Sequence, residues 1–527
     1  MSSPTLKPPM EDKKVDSQTQ VFCVHGADPE VQAYAMAKYS RSSLSMKESL
    51  AELNEQKAEK FLNTFYFQYG HRSIADLAHI AMAIERLSLL AATIVVDEQR
   101  WDGQERSTRY QDFKKSGYYT PSFGNAEQEI EYRETIDFVF SEYQAISDAM
   151  FHHLVAKTPK PEEMKQDAYE RTLRARAFDI SRYVLPLATN TSLGQIVNSR
   201  TLETQVSRML SNPHIEIQEL AKTMKEAARN PSWNVNHETY RTLVEAIRAK
   251  DETLGELAEK QLLRDVRVSP TLVKYAEANA YEMETRHELQ QAAAELMKSE
   301  AVATAPEVDL LDEEPLEIEL ATTLLYEQSH YPYRQLRDAV KALSAARREE
   351  MVDIGLRHRG RHDELMRAYC AGQRFRFDIL MDIGGYRDMH RHRRCTQIIQ
   401  DYTTAHGYDT PVEITEGGLT ERYNQLMSRM ADAAKKFTPE GSVPTAPGWI
   451  APEAQYFIPL AYRKRALFKM DFAEVVYISE LRTTPAGHWS YRNVAYKMFE
   501  AVQNRYPSLA RYFRVTDVRE PVDLLKR

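Results

Sequence analysis

A chain of 527 residues is longer than one ordinary core fills and points to at least two domains. Its 43% hydrophobic and 28% charged residues are those of a soluble globular protein, and a net charge of -8 gives no general support for nucleic-acid binding. Cys23, Cys370 and Cys395 are too few and too widely spaced for a disulfide scaffold or a thiolate zinc site, so no metal site is expected. No basic-then-apolar leader opens the chain. Leu87 to Val96 is too short to span a bilayer and runs straight into Asp97 and Glu98, so a cytoplasmic protein without a membrane partner is expected.

Residues 1–17 are polar, with Pro4, Pro8 and Pro9 among charges, and read as a disordered tail. Apolar residues recur at helical spacing from Asp28 to Leu62. They do so again from Ile74 to Ile94, where Ile74, Leu77, Ala78, Ala81, Ile84 and Leu87 make one stripe. Ala92 to Val96 is β-branched enough to be a strand instead. Residues 121–174 read as helical, and 183–187 as a short apolar run broken by proline. Ser192 to Met209 reads as a helix, and another runs from Glu216 to Ala228. Residues 231–305 form a helical extension rich in Glu, Lys, Arg and Ala. The acidic, proline-bounded run 306–315 reads as a solvated linker, with a domain boundary near 305.

The chain repeats itself. Tyr183-Val-Leu-Pro186-Leu-Ala188 is echoed by Tyr456-Phe-Ile-Pro459-Leu-Ala461. Arg208 lies 22 residues past Pro186 and Arg482 lies 23 past Pro459. Six residues beyond each stands a histidine, His214 or His488, and four beyond those stand Gln218 and Arg492. A duplication of this length means paired domains, expected at 18–230 and 306–527, rather than a solenoid.

Three segments have the composition of a ligand site. Gly70-His71-Arg72-Ser73 fits a helix start, with Ser73 as N-cap and Asp76 three positions on, and the same geometry suits an anion. Arg391-His392-Arg393-Arg394, preceded by Arg387 and His390, is the densest basic cluster. It reads either as a solvated or nucleic-acid-binding face or as arginine forks for phosphate and ring carbonyls. Glu105, Ser107, Arg109 and Tyr110 mix acceptors, donors and a cation, as a nucleotide's phosphate and base edge require.

On these residues the chain resembles flavin-dependent thymidylate synthases, whose pattern runs Gly-His-x-Ser, a helix, Arg-His-Arg, seven residues, then Ser-x-Arg-Tyr. The first half keeps Gly70-His71-Arg72-Ser73 and Ser107-Thr-Arg109-Tyr110, but Asp97-Glu98-Gln99 stands where Arg-His-Arg belongs. Arg182-Tyr-Val-Leu-Pro186 resembles the family's Arg-x-x-Leu-Pro, and Gln218 replaces a terminal arginine. The second half keeps Arg391-His392-Arg393 and Arg492, whereas Asp401 replaces the serine and Gln455 the arginine before Tyr456. Gly360 to Glu364 is a poor copy of Gly-His-x-Ser.

The resemblance implies an α+β fold: two tandem helix-rich domains, each with a small antiparallel sheet. It implies FAD as cofactor and methylation of dUMP to dTMP, with methylenetetrahydrofolate and NADPH as co-substrates. His71, Ser73, Arg391, His392 and Arg393 would hold the cofactor. Glu105, Ser107, Arg109 and Tyr110 would hold the uracil nucleotide, and Arg182 and Arg492 would be catalytic. Because sites of this family lie between subunits, a homodimer is expected to form a four-domain pseudo-tetramer with composite sites. The alternatives are a catalytically inactive paralogue with a structural or ligand-sensing role and, more weakly, a nucleic-acid-binding protein using residues 387–394.

Overall fold

A computed structural model describes residues 26–38, 46–47, 72–360, 363–439 and 447–525. The expected tail, His71, Cys23 and most of the 28–62 helical reading lie outside the described residues; of that reading, Pro29–Lys38 is a helix.

Strand β1 (His79–Ser88) opens the first half and is followed by α1 (Leu89–Val95) and β2 (Asp102–Glu105). Two long helices come next, α2 (Ala126–Lys157) and α3 (Gln166–Ser181), then β3 (Asn190–Asn198), α4 (Ser199–Leu210) and α5 (Ile215–Arg229). An extension follows, ending in α6 (Ala280–Leu296). The second half adds an edge strand β4 (Val308–Leu310) and α7 (Leu316–Glu327) and then repeats the pattern. Its copy is β5 (Phe375–Asp382), α8 (Ile383–Met389), β6 (Thr396–Ile399), α9 (Thr420–Lys436), β7 (Arg463–Met470), α10 (Phe472–Arg482) and α11 (Trp489–Arg505). The sheets are antiparallel, ordered β1-β3-β2 and β4-β5-β7-β6. The fold is therefore helix-rich with two small antiparallel sheets, as the duplication implies.

Four local readings are corrected. Residues 79–88 form a strand rather than part of a helix from 74 to 94, whereas Leu89–Val95 is helical, so the alternative strand over 92–96 does not form. The stripe misleads because β1 carries a bulge between Glu85 and Leu87, with Arg86 at φ 62°. The extra residue turns Leu87 onto the inner face with Ile80 and Ile84, which mimics a 3.6-residue period. The helix expected over 192–209 is β3 followed by α4. Thr191, Leu193, Gln195 and Val197 alternate inward, and two of those four are polar, which hides the period of two. The acidic run 306–315 is not a free linker. Val308–Leu310 pairs with β5, and Arg334 takes Asp309 and Asp312. Ser73 lies within the 3-10 turn Arg72–Leu77 rather than capping a helix.

The halves join along the repeated Tyr-x-x-Pro-Leu-Ala segments. Leu187 N donates to Ile458 O (2.9 Å) and Ala188 N to Tyr456 O (3.1 Å). In return Leu460 N donates to Leu185 O (3.0 Å) and Ala461 N to Tyr183 O (3.0 Å). Proline at 186 and 459 breaks each run at the bridge, so the segments cross once instead of extending a sheet. A single apolar core runs through this junction, with Tyr132 against Phe457 and Phe123 against Phe437 at ring separations of 4.8 and 4.9 Å.

Each half caps its short helix with a buried polar pair, and the pairs are reversed. In the first half Ser88 caps α1 and donates to the Glu216 carboxylate (2.6 Å). In the second Asp382 caps α8 and accepts from Ser490. The tyrosines of the junction cross between halves: Tyr456 donates to Glu216 at 2.8 Å, and Tyr183 stacks at 5.3 Å on His488, whose Nδ1 accepts from Ser490 N. Tyr456→Phe leaves Glu216 short of one donor and is expected to cost about 1–3 kcal/mol by denaturant unfolding. Burial, then the Asp409 charge, pushes the Asp382 carboxyl up to about 6. Because the folded state holds this proton more tightly, Asp382 costs stability as pH rises from about 4 to 6. Relative to wild type, Asp382→Asn should therefore gain about 3 kcal/mol across that window in unfolding titrations, and a flat difference would contradict this.

Candidate functional site

In each half a strand runs into a capped short helix, then a tripeptide, then a second strand. The tripeptides are Asp97-Glu98-Gln99 after α1 and Arg391-His392-Arg393 after α8. The segment 106–110 follows β2, and its Arg109 reaches Tyr491 of α11 and Ala486 in the loop before that helix.

The segment 105–110 packs against residues of the other half that surround Arg391-His392-Arg393. Glu105 is ion-paired with Arg387 of α8. Arg109 is buried; its guanidinium donates to both Asp179 oxygens (3.0 and 3.1 Å), to the Tyr491 hydroxyl (3.1 Å) and to Ala486 O (3.3 Å). Arg182, also buried, lies 3.4 Å from Asp179 and 3.6 Å from Asp388, and its Nη1 donates to Thr108 Oγ1 at 3.4 Å. Tyr491 carries the contact onward, because Arg482 sits 5.4 Å from its ring and donates through Nε to His392 Nε2 at 2.7 Å. The other ring nitrogen of His392 lies 3.5 Å from Glu474. A continuous polar path thus joins Arg109 in the first half to His392 in the second.

Burial opposes the charged form of Asp179, but its neighbours His488, Arg182 and Arg109 outweigh it and hold the carboxyl well below its usual range. Burial also pushes His488 down to about 3, so its ring is neutral at neutral pH and the two arginines do the holding. Arg182 Nε and Nη2, Asp388 Oδ2 and His488 Nε2 are buried without a hydrogen bond.

The other expected residues are distributed as follows. Ser107 is half-buried and its hydroxyl accepts from Arg109 N at 3.2 Å. Tyr110 is exposed, with Arg109 5.4 Å from its ring. Arg391 is exposed, and its guanidinium makes no hydrogen bond or ion pair among the described residues. Arg393 lies 4.6 Å over the Trp101 ring and donates to Val96 O and Arg391 O. Arg492 is buried, with Nε held by Thr483 O at 3.1 Å. Ser73 is exposed on its own turn.

At the counterpart position, new ion pairs occupy the space. Asp97 takes Arg367 at 2.6 Å and lies 3.6 Å from His390; burial opposes its charge, and Arg367, His390 and Arg208 more than offset it. Glu98 takes Arg208 at 2.8 Å. Asp401 accepts from Gln455 at 3.1 Å, and Gln218 donates to Asn212 O. Between Asp97 and Arg393 a cavity of about 20 Å³ remains, room for about one water. Among the described residues no group of three or more His, Cys, Asp or Glu side chains is arranged to hold a metal, and no helix is long and apolar enough to cross a membrane.

Asp179, Asp388, Tyr491 and Arg367 were not singled out from the sequence. Arg387 stood at the edge of the basic cluster, and Arg208 and Arg482 were visible as repeat markers. Arg367 opens the short 3-10 turn Arg367–Tyr369, which carries no repeat signal.

The sequence pattern of the thymidylate synthase complementing protein family matches residues 23–231 and again 309–508. The chain belongs to that family, as a tandem duplication. A UPF0159 protein of Chlamydia pneumoniae is 28% identical over 96% of this chain and 93% of its own length. A flavin-dependent thymidylate synthase of Clostridium tetani is 24% identical over 40% of this chain and 81% of its own. A solved flavin-dependent thymidylate synthase from Helicobacter pylori, complexed with FAD and dUMP, is 16% identical. It covers 40% of this chain and 93% of its own, with a TM-score of 0.24.

Removing Arg367 strands Asp97 in a partly buried position. Arg367→Ala is expected to lower unfolding stability by about 2–4 kcal/mol, and Asp97→Asn in the same chain should recover most of the loss. Additive losses in the two variants would contradict the pairing.

Proposed function

We propose that this chain is a flavin-dependent thymidylate synthase homologue with one composite site per chain. The halves divide as 18–230 and 306–527 around the 231–305 extension. The observation that supports this best is the polar path that runs from Arg109 of the first retained fragment through Tyr491 and Arg482 to His392 of the second. The pseudo-equivalent position carries Asp97, Glu98 and Asp401, where an anionic ligand meets carboxylates.

The residues present fit an anionic cofactor and nucleotide. Arg391 is an exposed cation with no carboxylate partner among the described residues, and Arg393 is pre-oriented over Trp101. Arg182 lies between the carboxylates of Asp179 and Asp388 at ion-pair distances but without hydrogen bonds from its Nε and Nη2, which leaves donors for a ligand at this place. In this reading Arg391 and Arg393 bind phosphate and ring oxygens, while His392 is fixed in place by Arg482 and Glu474. His71 and Ser73 complete the cofactor contacts. Glu105, Ser107, Arg109 and Tyr110 line the nucleotide side, and Arg182 and Arg492 stabilise charge developing on the uracil ring. FAD, when bound, supplies the hydride chemistry, with methylenetetrahydrofolate and NADPH as co-substrates. The setting is cytoplasmic, and two chains form a four-domain pseudo-tetramer.

One observation favours the second reading, a non-catalytic, ligand-sensing paralogue. Arg109 already spends its fork on Asp179, so a phosphate there must displace a buried ion pair. Flavin titration followed by fluorescence tests the site: the wild type should bind FAD, and Arg391→Ala should weaken it by about tenfold or more, ~1.4 kcal/mol. Tritium release from labelled dUMP then separates synthase from sensor. Absence of flavin binding, or binding indifferent to Arg391→Ala, overturns the assignment.

A further inference from the structure

An arginine ties down the middle residue of each tripeptide. Arg208 and Arg482 mark matching places in the repeat, and both turn back onto the tripeptide of their own half. Arg208 donates to Glu98 from Nε at 3.1 Å and from Nη2 at 2.8 Å. Arg482 donates from Nε to His392 Nε2 at 2.7 Å. The two tripeptides differ at every position, yet both carry this contact, so the middle residue is an acceptor for its arginine in each half.

A guanidinium only donates, whereas a neutral imidazole has one nitrogen that donates and one that accepts. The His392 nitrogen facing Arg482 therefore carries no proton, and the proton sits on Nδ1, 3.5 Å from the Glu474 carboxylate. An imidazolium would turn an N–H toward the Arg482 cation and lose the bond. Burial favours the neutral ring, Glu474 opposes it, and the Arg482 and Arg393 charges add to it. The backbone is committed as well. His392 N donates to Met389 O at 3.1 Å, and His392 O accepts from Gln397 Nε2 and Cys395 Sγ, each at 2.9 Å. Every polar atom of this buried residue thus faces protein, whereas Arg391 on one side is exposed and Arg393 on the other lies over Trp101.

We propose that His392 is a positioning residue, held as the neutral Nδ1–H tautomer by Arg482 and Glu474, which sets the pose of Arg391 and Arg393 and has no nitrogen left for a ligand. The tripeptide then divides its work: the arginines face the anion and the histidine pins the turn to α10. The tautomer follows from the hydrogen bonds alone, and its consequence for FAD rests on the composite-site function.

Nitrogen-15 histidine spectra of the full chain test the tautomer. The resonance pair missing from His392→Gln should show Nδ1 protonated and Nε2 bare, and should stay so at about pH 6.5, where an ordinary histidine is half charged. Flavin titration tests the positioning. His392→Leu should weaken FAD by about tenfold or more, and His392→Gln, whose amide keeps an acceptor for Arg482 and a donor toward Glu474, should restore it to within about threefold of wild type. A protonated Nε2, a cationic ring at that pH, or equal loss of FAD affinity in the two variants would each overturn the proposal. Should His392→Leu not fold, a tenfold loss in folded His392→Gln, of about 1.4 kcal/mol, overturns it. If the wild type binds no FAD, the composite-site function fails, and the spectra decide together with unfolding: His392→Leu should unfold at lower denaturant than His392→Gln, and equal midpoints would overturn the tether.

Discussion

Everything in this molecule depends on the crossing of Tyr183–Ala188 with Tyr456–Ala461. Four backbone hydrogen bonds hold the two prolyl segments together, and each segment also receives the start of its own half's short helix. Leu89 and Leu90 donate to Thr189 O and Leu187 O; Ile383 and Gly384 donate to Tyr462 O and Leu460 O. The same few residues therefore set the pose of both capped helices, and the tripeptides that follow are carried with them. Without this crossing, the 105–110 segment of one half and helix α8 of the other have no reason to meet.

The crossing is nearly symmetric in backbone and asymmetric in charge. Gly117 and Gly407 take the same left-handed turn, at φ 72° and 71°, and accept from Asn190 and Arg463 in equivalent ways. Yet Ser88–Glu216 is matched by Asp382–Ser490, and Arg391-His392-Arg393 by Asp97-Glu98-Gln99. A homo-oligomer must use one sequence at every equivalent position. A fused duplication is released from that constraint, so one copy can keep arginines while the other acquires acids and its own arginine partners, Arg367 and Arg208.

The duplication was legible in the sequence, because Pro186 and Pro459, Arg208 and Arg482, and His214 and His488 keep their spacing. Strand positions were less so. The Arg86 bulge gave β1 a helical period, and the inward polar residues Thr191 and Gln195 concealed β3. Within the site, neither Asp179 as the anchor of Arg109 nor Arg367 as the clamp on Asp97 belongs to any local pattern. Both are long-range pairs, 70 and 270 positions apart, that only the packed chain brings together.

In the proposed function the two diverged halves make one anion-binding composite site, not two and not none. The most direct measurement is the stoichiometry of FAD on the full chain at saturation. The predicted result is one FAD per chain. Two per chain would mean that the acid-bearing copy also holds the cofactor, and none would mean that the polar path from Arg109 to His392 serves no flavin; either result contradicts a single composite site.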